Sequence, residues 1–115
     1  MKVVNVWNGL KINLDELSDH VCRFFAEKGF KPRKYKYKNG FRVYILSGEI
    51  YAEILSSNSK LEISLILDET QHLLELLGYS LSFIIGGGLF LRKLKLKELF
   101  NELERDFWKY LNKTI

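Results

Sequence analysis

The stretch Arg33-Lys34-Tyr35-Lys36-Tyr37-Lys38-Asn39-Gly40-Phe41-Arg42-Val43-Tyr44-Ile45-Leu46-Ser47-Gly48-Glu49-Ile50-Tyr51-Ala52-Glu53-Ile54 decides the fold. Its character alternates residue by residue, the mark of strands, because successive strand side chains point to opposite faces. Two turn signals, Asn39-Gly40 and Ser47-Gly48, cut it into three strands. A two-residue Asn39-Gly40 turn sets Phe41, Val43 and Ile45 on the same face as Lys34, Lys36 and Lys38, which wastes the apolar face. A three-residue loop Lys38-Asn39-Gly40, with Gly40 in the left-handed bulge position, pairs Tyr37 with Phe41 and Tyr35 with Val43 instead. That register is the expected one. The Ser47-Gly48 turn pairs Ile45 with Ile50 and Val43 with Ala52, and sets Arg42 opposite Glu53 and Tyr44 opposite Tyr51. The loop Ser56-Ser57-Asn58-Ser59 then places Ile54 opposite Leu61 and Ala52 opposite Ile63, so one inner face runs through four strands.

Upstream, Lys2 to Trp7 is Val-rich and strand-like, and Asn8-Gly9 is a turn signal. Asn13 is placed to cap a helix and Glu16 to complete a capping box, with Ile12 and Leu17 as a hydrophobic staple. Leu14, Leu17, Val21, Phe24 and Phe25 recur at helical spacing. Gly29 takes the left-handed cap position with Phe30 against Phe25, and Pro32 prevents the helix from resuming.

Downstream, Asp68 starts a short helix with Gln71 as its capping partner, and Gly78 ends it. Tyr79 to Ile85 reads as a strand, Gly86-Gly87-Gly88 as a turn and Leu89 to Leu91 as a return strand. A last helix begins near Leu94 and repeats its apolar face at Leu96, Leu99, Phe100, Leu103, Phe107, Tyr110 and Leu111. Leu73 to Leu91 holds a single charge, Glu75, over a length that spans a bilayer. Its glycines and serines read better as a broken helix and hairpin than as a membrane span.

These elements predict a single α+β domain over residues 1–115, a two-layer sandwich with an antiparallel meander sheet and helices packed on one face. The element order resembles that of secretion-chaperone-like domains, and the likeness, one of topology, implies a small dimeric binding module. The edge left open is either Val3 to Trp7 or the Leu89 segment, which controls where the sheet accepts another strand.

Composition bounds the function. With 47% hydrophobic and 28% charged residues the chain has the make-up of an ordinary globular domain, not of a disordered or fibrous one. Its one cysteine, Cys22, excludes an internal disulfide framework and a cysteine-rich zinc site, and fits a reducing, cytoplasmic setting without a secretory leader. Lys, Glu, Leu and Ile dominate while there are two Ala and one Gln, a bias that predicts high thermal stability. The net charge of +4 is local: residues 28–42 hold seven basic side chains and no acid, and residues 43–91 sum to −5.

No catalytic or cofactor signature stands out. Gly86-Gly87-Gly88 lacks the Lys-Ser/Thr ending of a phosphate loop. His20 and Cys22, two apart on a helix, point away from one another and cannot share a metal. Glu98, Glu102 and Asp106 share a helix face but alternate with Lys95, Arg105 and Lys109, the pattern of a solvated, ion-paired surface. The expectation is no cofactor, no metal and no catalytic residue.

What remains is the outer sheet face, where the expected register collects Tyr44, Leu46, Tyr51, Leu55 and Ile66 beside a basic patch of Lys34, Lys36, Lys38 and Arg42. A half-apolar outer face is a covered surface. The cover is a second copy or another protein, or else the last helix or first strand folded over it within the monomer. The leading expectation is a non-enzymatic, homodimeric interaction module using this face. The alternative is a nucleic-acid-binding protein whose hairpin 33–44 holds phosphates with lysines and stacks bases on tyrosines.

Overall fold

The computed structural model describes residues 1–8, 12–57, 59–68 and 88–114, the side chains of residues 47 and 88–94 excepted. The element order is β1 (Lys2–Asn8), α1 (Leu14–Glu27), β2 (Arg33–Tyr37), β3 (Gly40–Ile45), a 3-10 turn (Leu46–Gly48), β4 (Ile50–Ser57), β5 (Lys60–Leu67) and α2 (Gly88–Thr114). The strands form one antiparallel sheet in the order β1-β5-β4-β3-β2. This is an α+β fold, with β1 and β2 as the two edges of the sheet among the described residues.

Helix α1 follows from its local sequence. The Asn13 side chain accepts the Asp15 amide at 2.9 Å, satisfying an amide that has no partner within the first turn. At the other end Gly29 takes φ +91°, the Gly29 amide bonds to Ala26 O at 3.0 Å and the Phe30 amide to Phe25 O at 3.0 Å. This is the Schellman closure expected of Gly29 and Phe30. Between its ends the helix buries Leu17, Val21, Phe24 and Phe25 against the inner face of the sheet, where Val43, Ile45, Ile50, Ala52, Ile54, Ile63 and Leu65 are also buried.

Two hairpin registers differ from expectation. Between β2 and β3 the turn is Lys38-Asn39, so Tyr37 pairs with Gly40, Lys36 with Phe41, Tyr35 with Arg42 and Lys34 with Val43. The one-residue difference exchanges the faces of β2: Lys34 and Lys36 lie on the helix side, and Arg33, Tyr35 and Tyr37 on the outer side. Gly40 is not a left-handed bulge but a ladder residue, and a Cβ there would collide with the Ile54 carbonyl. The expectation failed because it demanded an apolar inner face from an edge strand. All five β2 residues are exposed, and an edge lysine satisfies itself by reaching over the rim of the core. Lys34 Nζ does so, bonding Asp19 of α1 at 2.8 Å and passing 5.4 Å from the Phe41 ring centre.

Between β4 and β5 the expected pairs slide by two: Ile54 faces Ile63 and Ala52 faces Leu65. Ser57 pairs with Lys60, and Ser59 adopts φ +66° in the tight turn. A slide of two leaves every side chain on its expected face, so the core is unchanged. The β3–β4 pairs, including Arg42 with Glu53 and Tyr44 with Tyr51, stand as expected.

Helix α2 begins at Gly88, not near Leu94, and Leu89 to Leu91 are helical where a return strand was expected. Leucine, lysine and arginine are all good helix formers, and a run of them extends a helix readily. The expected helix at Asp68 to Leu77, the strand Tyr79 to Ile85 and the turn at Gly86-Gly87 fall on residues 69–87, outside the described residues. Leu96, Phe100, Leu103, Phe107 and Leu111 are buried in the same core as α1. Phe107 stacks on Phe25 at 6.0 Å and meets the edge of Phe24 at 5.5 Å. Trp108 contacts Trp7 of β1 at 6.4 Å. Among the described residues no helix is long and apolar enough to cross a membrane.

Candidate interaction face

With both described helices on the inner side, the strand pairings set out the outer face in rows. Arg33, Tyr44, Tyr51, Ile66 and Lys2 form one, and Tyr35, Arg42, Glu53, Ser64 and Val4 the next. A third runs through Tyr37, Gly40, Leu55, Glu62 and Val6. Neither α2 nor β1 folds over this face: α2 joins the core, and β1 extends the sheet beside β5. Both internal covers raised from the sequence are thereby excluded for the described residues.

Of the expected interaction residues, Tyr44, Tyr51, Leu55 and Ile66 are on the outer face and half-buried. Leu46 is not. It opens the 3-10 turn with φ +53° and packs against the core cluster. Of the expected basic patch, Arg42 is on the outer face, Lys38 is in the turn, and Lys34 and Lys36 are on the opposite face, so the four do not form one surface. The alternation missed Arg33, Tyr35 and Tyr37. The signal that finds them is the basic density of β2 itself, since a strand so charged is an edge with no core face to fill.

Arg42 organises the centre. Its Nε donates to Glu53 Oε2 at 2.7 Å and its Nη1 to the Tyr44 hydroxyl at 3.3 Å. Its guanidinium lies 4.9 Å from the Tyr37 ring centre and 5.5 Å from that of Tyr51. Tyr44 meets Tyr35 edge-on at 5.5 Å and Tyr51 at 5.0 Å. The Tyr44 hydroxyl first, and then Glu53, raise the Arg42 pKa above its ordinary range, while partial burial pushes the Tyr51 hydroxyl up. The result is a plate of four tyrosines in mutual contact around one neutralised cation.

The exposed apolar area sits at the margins. Tyr35 and Tyr37 on β2 are 47% and 45% exposed, and Val4 and Val6 on β1 are 39% and 52% exposed. Ser64 is 1% exposed and its hydroxyl has no hydrogen-bond partner among the described residues. At the hairpin end, Asn39, Leu55, Ser56, Ser57, Lys60 and Glu62 line a cleft of about 360 Å³.

Elsewhere several of the acidic side chains of α2 and the one thiol are otherwise engaged. Asp106 is bonded to Lys28 at 2.8 Å and Glu104 to Trp108 at 3.0 Å. Cys22 is half-buried, and burial pushes its thiol up, away from the reactive thiolate. No group of three His, Cys, Asp or Glu that could hold a metal occurs among the described residues. No family model, curated protein or solved structure matches this chain.

Proposed function

We propose that the protein is a small non-enzymatic interaction module that holds a partner protein against the outer face of its sheet. The observation that carries this reading is that Val4, Val6, Tyr35 and Tyr37, the exposed large apolar residues of the sheet, lie at the two margins of the one face without a described element over it. Tyrosine and arginine are among the residue types that dominate interface energetics, and here mutual contacts already restrict them, which lowers the side-chain entropy lost on binding.

The same geometry selects the partner's chemistry. The Arg42 and Glu53 charges cancel, leaving Lys2, Arg33 and Lys60 against Glu62 and, beside Tyr51, Asp68, so the complementary surface is apolar with a slight excess of carboxylates. A face-to-face homodimer suits this face less well. It would press two copies of the Arg42–Glu53 pair into one dry seam, where desolvation outweighs attraction. The nucleic-acid alternative is the weaker reading, because Lys34 is committed to Asp19 and Arg42 to Glu53.

A displayed library of random peptides panned against the purified protein tests the proposal. Enriched peptides should combine aromatic or aliphatic residues with Asp or Glu, and should lose at least tenfold in affinity for a Tyr35→Ala/Tyr37→Ala variant. No enrichment, or equal binding to the variant, overturns the reading. Binding of a mixed-sequence single-stranded RNA that falls steeply with added salt replaces it with the nucleic-acid reading.

A further inference from the structure

The two edges of the sheet are built to opposite rules. β2 carries Arg33, Lys34 and Lys36 in five residues and runs into Lys38, the charge density with which sheets repel further strands. β1, Lys-Val-Val-Asn-Val-Trp-Asn, carries one charge in seven residues and exposes Val4 and Val6. No described element pairs with its free side.

The direction of its backbone groups is fixed by one pair. Met1 and Leu67 exchange both bonds, the Met1 amine donating to Leu67 O at 3.2 Å and the Leu67 amide to Met1 O at 2.9 Å. Bonded and non-bonded pairs alternate along an antiparallel ladder. Val3, Asn5 and Trp7 therefore also turn their amides and carbonyls toward β5. Lys2, Val4, Val6 and Asn8 turn theirs outward, into the unpaired edge.

We propose that β1 pairs antiparallel with β1 of a second copy of this chain, about a two-fold axis at Asn5. Only outward-facing residues can exchange bonds across such an edge, and this axis matches them over the full strand: Lys2 with Asn8, Val4 with Val6, and the same pairs again by symmetry. Asn5 meets its own copy at a non-bonded position, where Cα atoms stand about 4.5 Å apart. The side chains agree with the backbone. Val4 and Val6 of both copies make a two-by-two block of four valines on the outer face, and Val3 lies beside Trp7 on the inner face. Lys2 faces Asn8, so no like charges meet. A self-complementary strand of this kind closes as a dimer, because a two-fold contact uses the same surface on both copies. Two five-stranded sheets become one of ten strands, while the tyrosine plate of each copy stays open. The two proposals share Val4 and Val6, so they are told apart at residues only one of them uses: Tyr35 and Tyr37 for the plate, Asn5 for the edge.

Light scattering on the full chain should read twice the chain mass, and a Val4→Lys/Val6→Lys variant should read one chain mass with unchanged far-ultraviolet circular dichroism. Both valines are exposed, so the lysines do not disturb the core. In a Cys22→Ser background, Asn5→Cys should form a disulfide-linked dimer on mild oxidation, and Lys36→Cys on the other edge should not. A monomer mass at the highest soluble concentration overturns the proposal. So does a dimer that persists in the lysine variant without the Asn5→Cys cross-link, or one lost in Tyr35→Glu/Tyr37→Glu instead.

Discussion

A methyl group added at Gly40 and one added at Gly29 do harm by different physics. At Gly40 the new Cβ meets the Ile54 backbone, which belongs to the neighbouring strand and cannot give way alone. Gly40→Ala should cost about 1–3 kcal/mol, the range for overpacking. At Gly29 nothing lies within 4 Å, but φ is +91°, so the cost there is backbone strain of about 1 kcal/mol. Urea midpoints separate the two when Asn is also tried at each position: Asn tolerates left-handed backbone, so it should recover stability at position 29 and lose more at position 40. Ser64 predicts the opposite sign. Its hydroxyl is desolvated without a described partner, so Ser64→Ala should leave stability unchanged or raise it by about 1 kcal/mol. A clear loss in urea denaturation would show that the hydroxyl is bonded in solution.

Among elements, exposed ion pairs mark the joints. Lys34–Asp19 ties β2 to α1, and Lys28–Asp106 ties the end of α1 to α2, each at 2.8 Å. The hydrogen bond from lysine lowers the pKa of each aspartate below its ordinary value. A lowered folded-state pKa contributes stability that is complete above the ordinary carboxylate range and disappears as pH falls through the lowered value. Asp19→Asn with Asp106→Asn should therefore shallow the acid limb of a thermal-midpoint profile and change the neutral plateau little, because exposed pairs are weak. An acid limb as steep as in the parent protein would assign it to other carboxylates. At this scale too lies the division between what sequence shows and what it hides. α1 is legible from Asn13 to Phe30 because its cap, stripe and stop act within a few residues. The β3–β4 ladder is legible because both of its strands are central and need an apolar face. β2 is not, since an edge strand is free of that demand and one residue of slip exchanges lysines for tyrosines. Half of the outer face, Tyr44, Tyr51, Leu55 and Ile66, was therefore readable. The exposed half, Tyr35, Tyr37, Val4 and Val6, depended on which strands end the sheet, a property of the assembled fold.

For the whole molecule, Phe107 is the keystone. It is fully buried between α2 and α1, against Phe24 and Phe25. Phe107→Ala should cost about 3–5 kcal/mol, read as a lowered urea midpoint with loss of the near-ultraviolet signal of the aromatic cluster. Retention of that midpoint would place the weight of α2 elsewhere along its length. The chain's two tryptophans, Trp7 and Trp108, stand 6.4 Å apart although they belong to the first strand and the last helix. The pair is thus a built-in optical gauge at the place where β1 and α2 meet. Indole emission should shift to the red when that junction opens, whether or not the β2–β5 hairpins have yet come apart. Compared with far-ultraviolet ellipticity in one denaturant titration, it tells a single concerted melt from a peeling of β1 away from α2, without a label or a substitution.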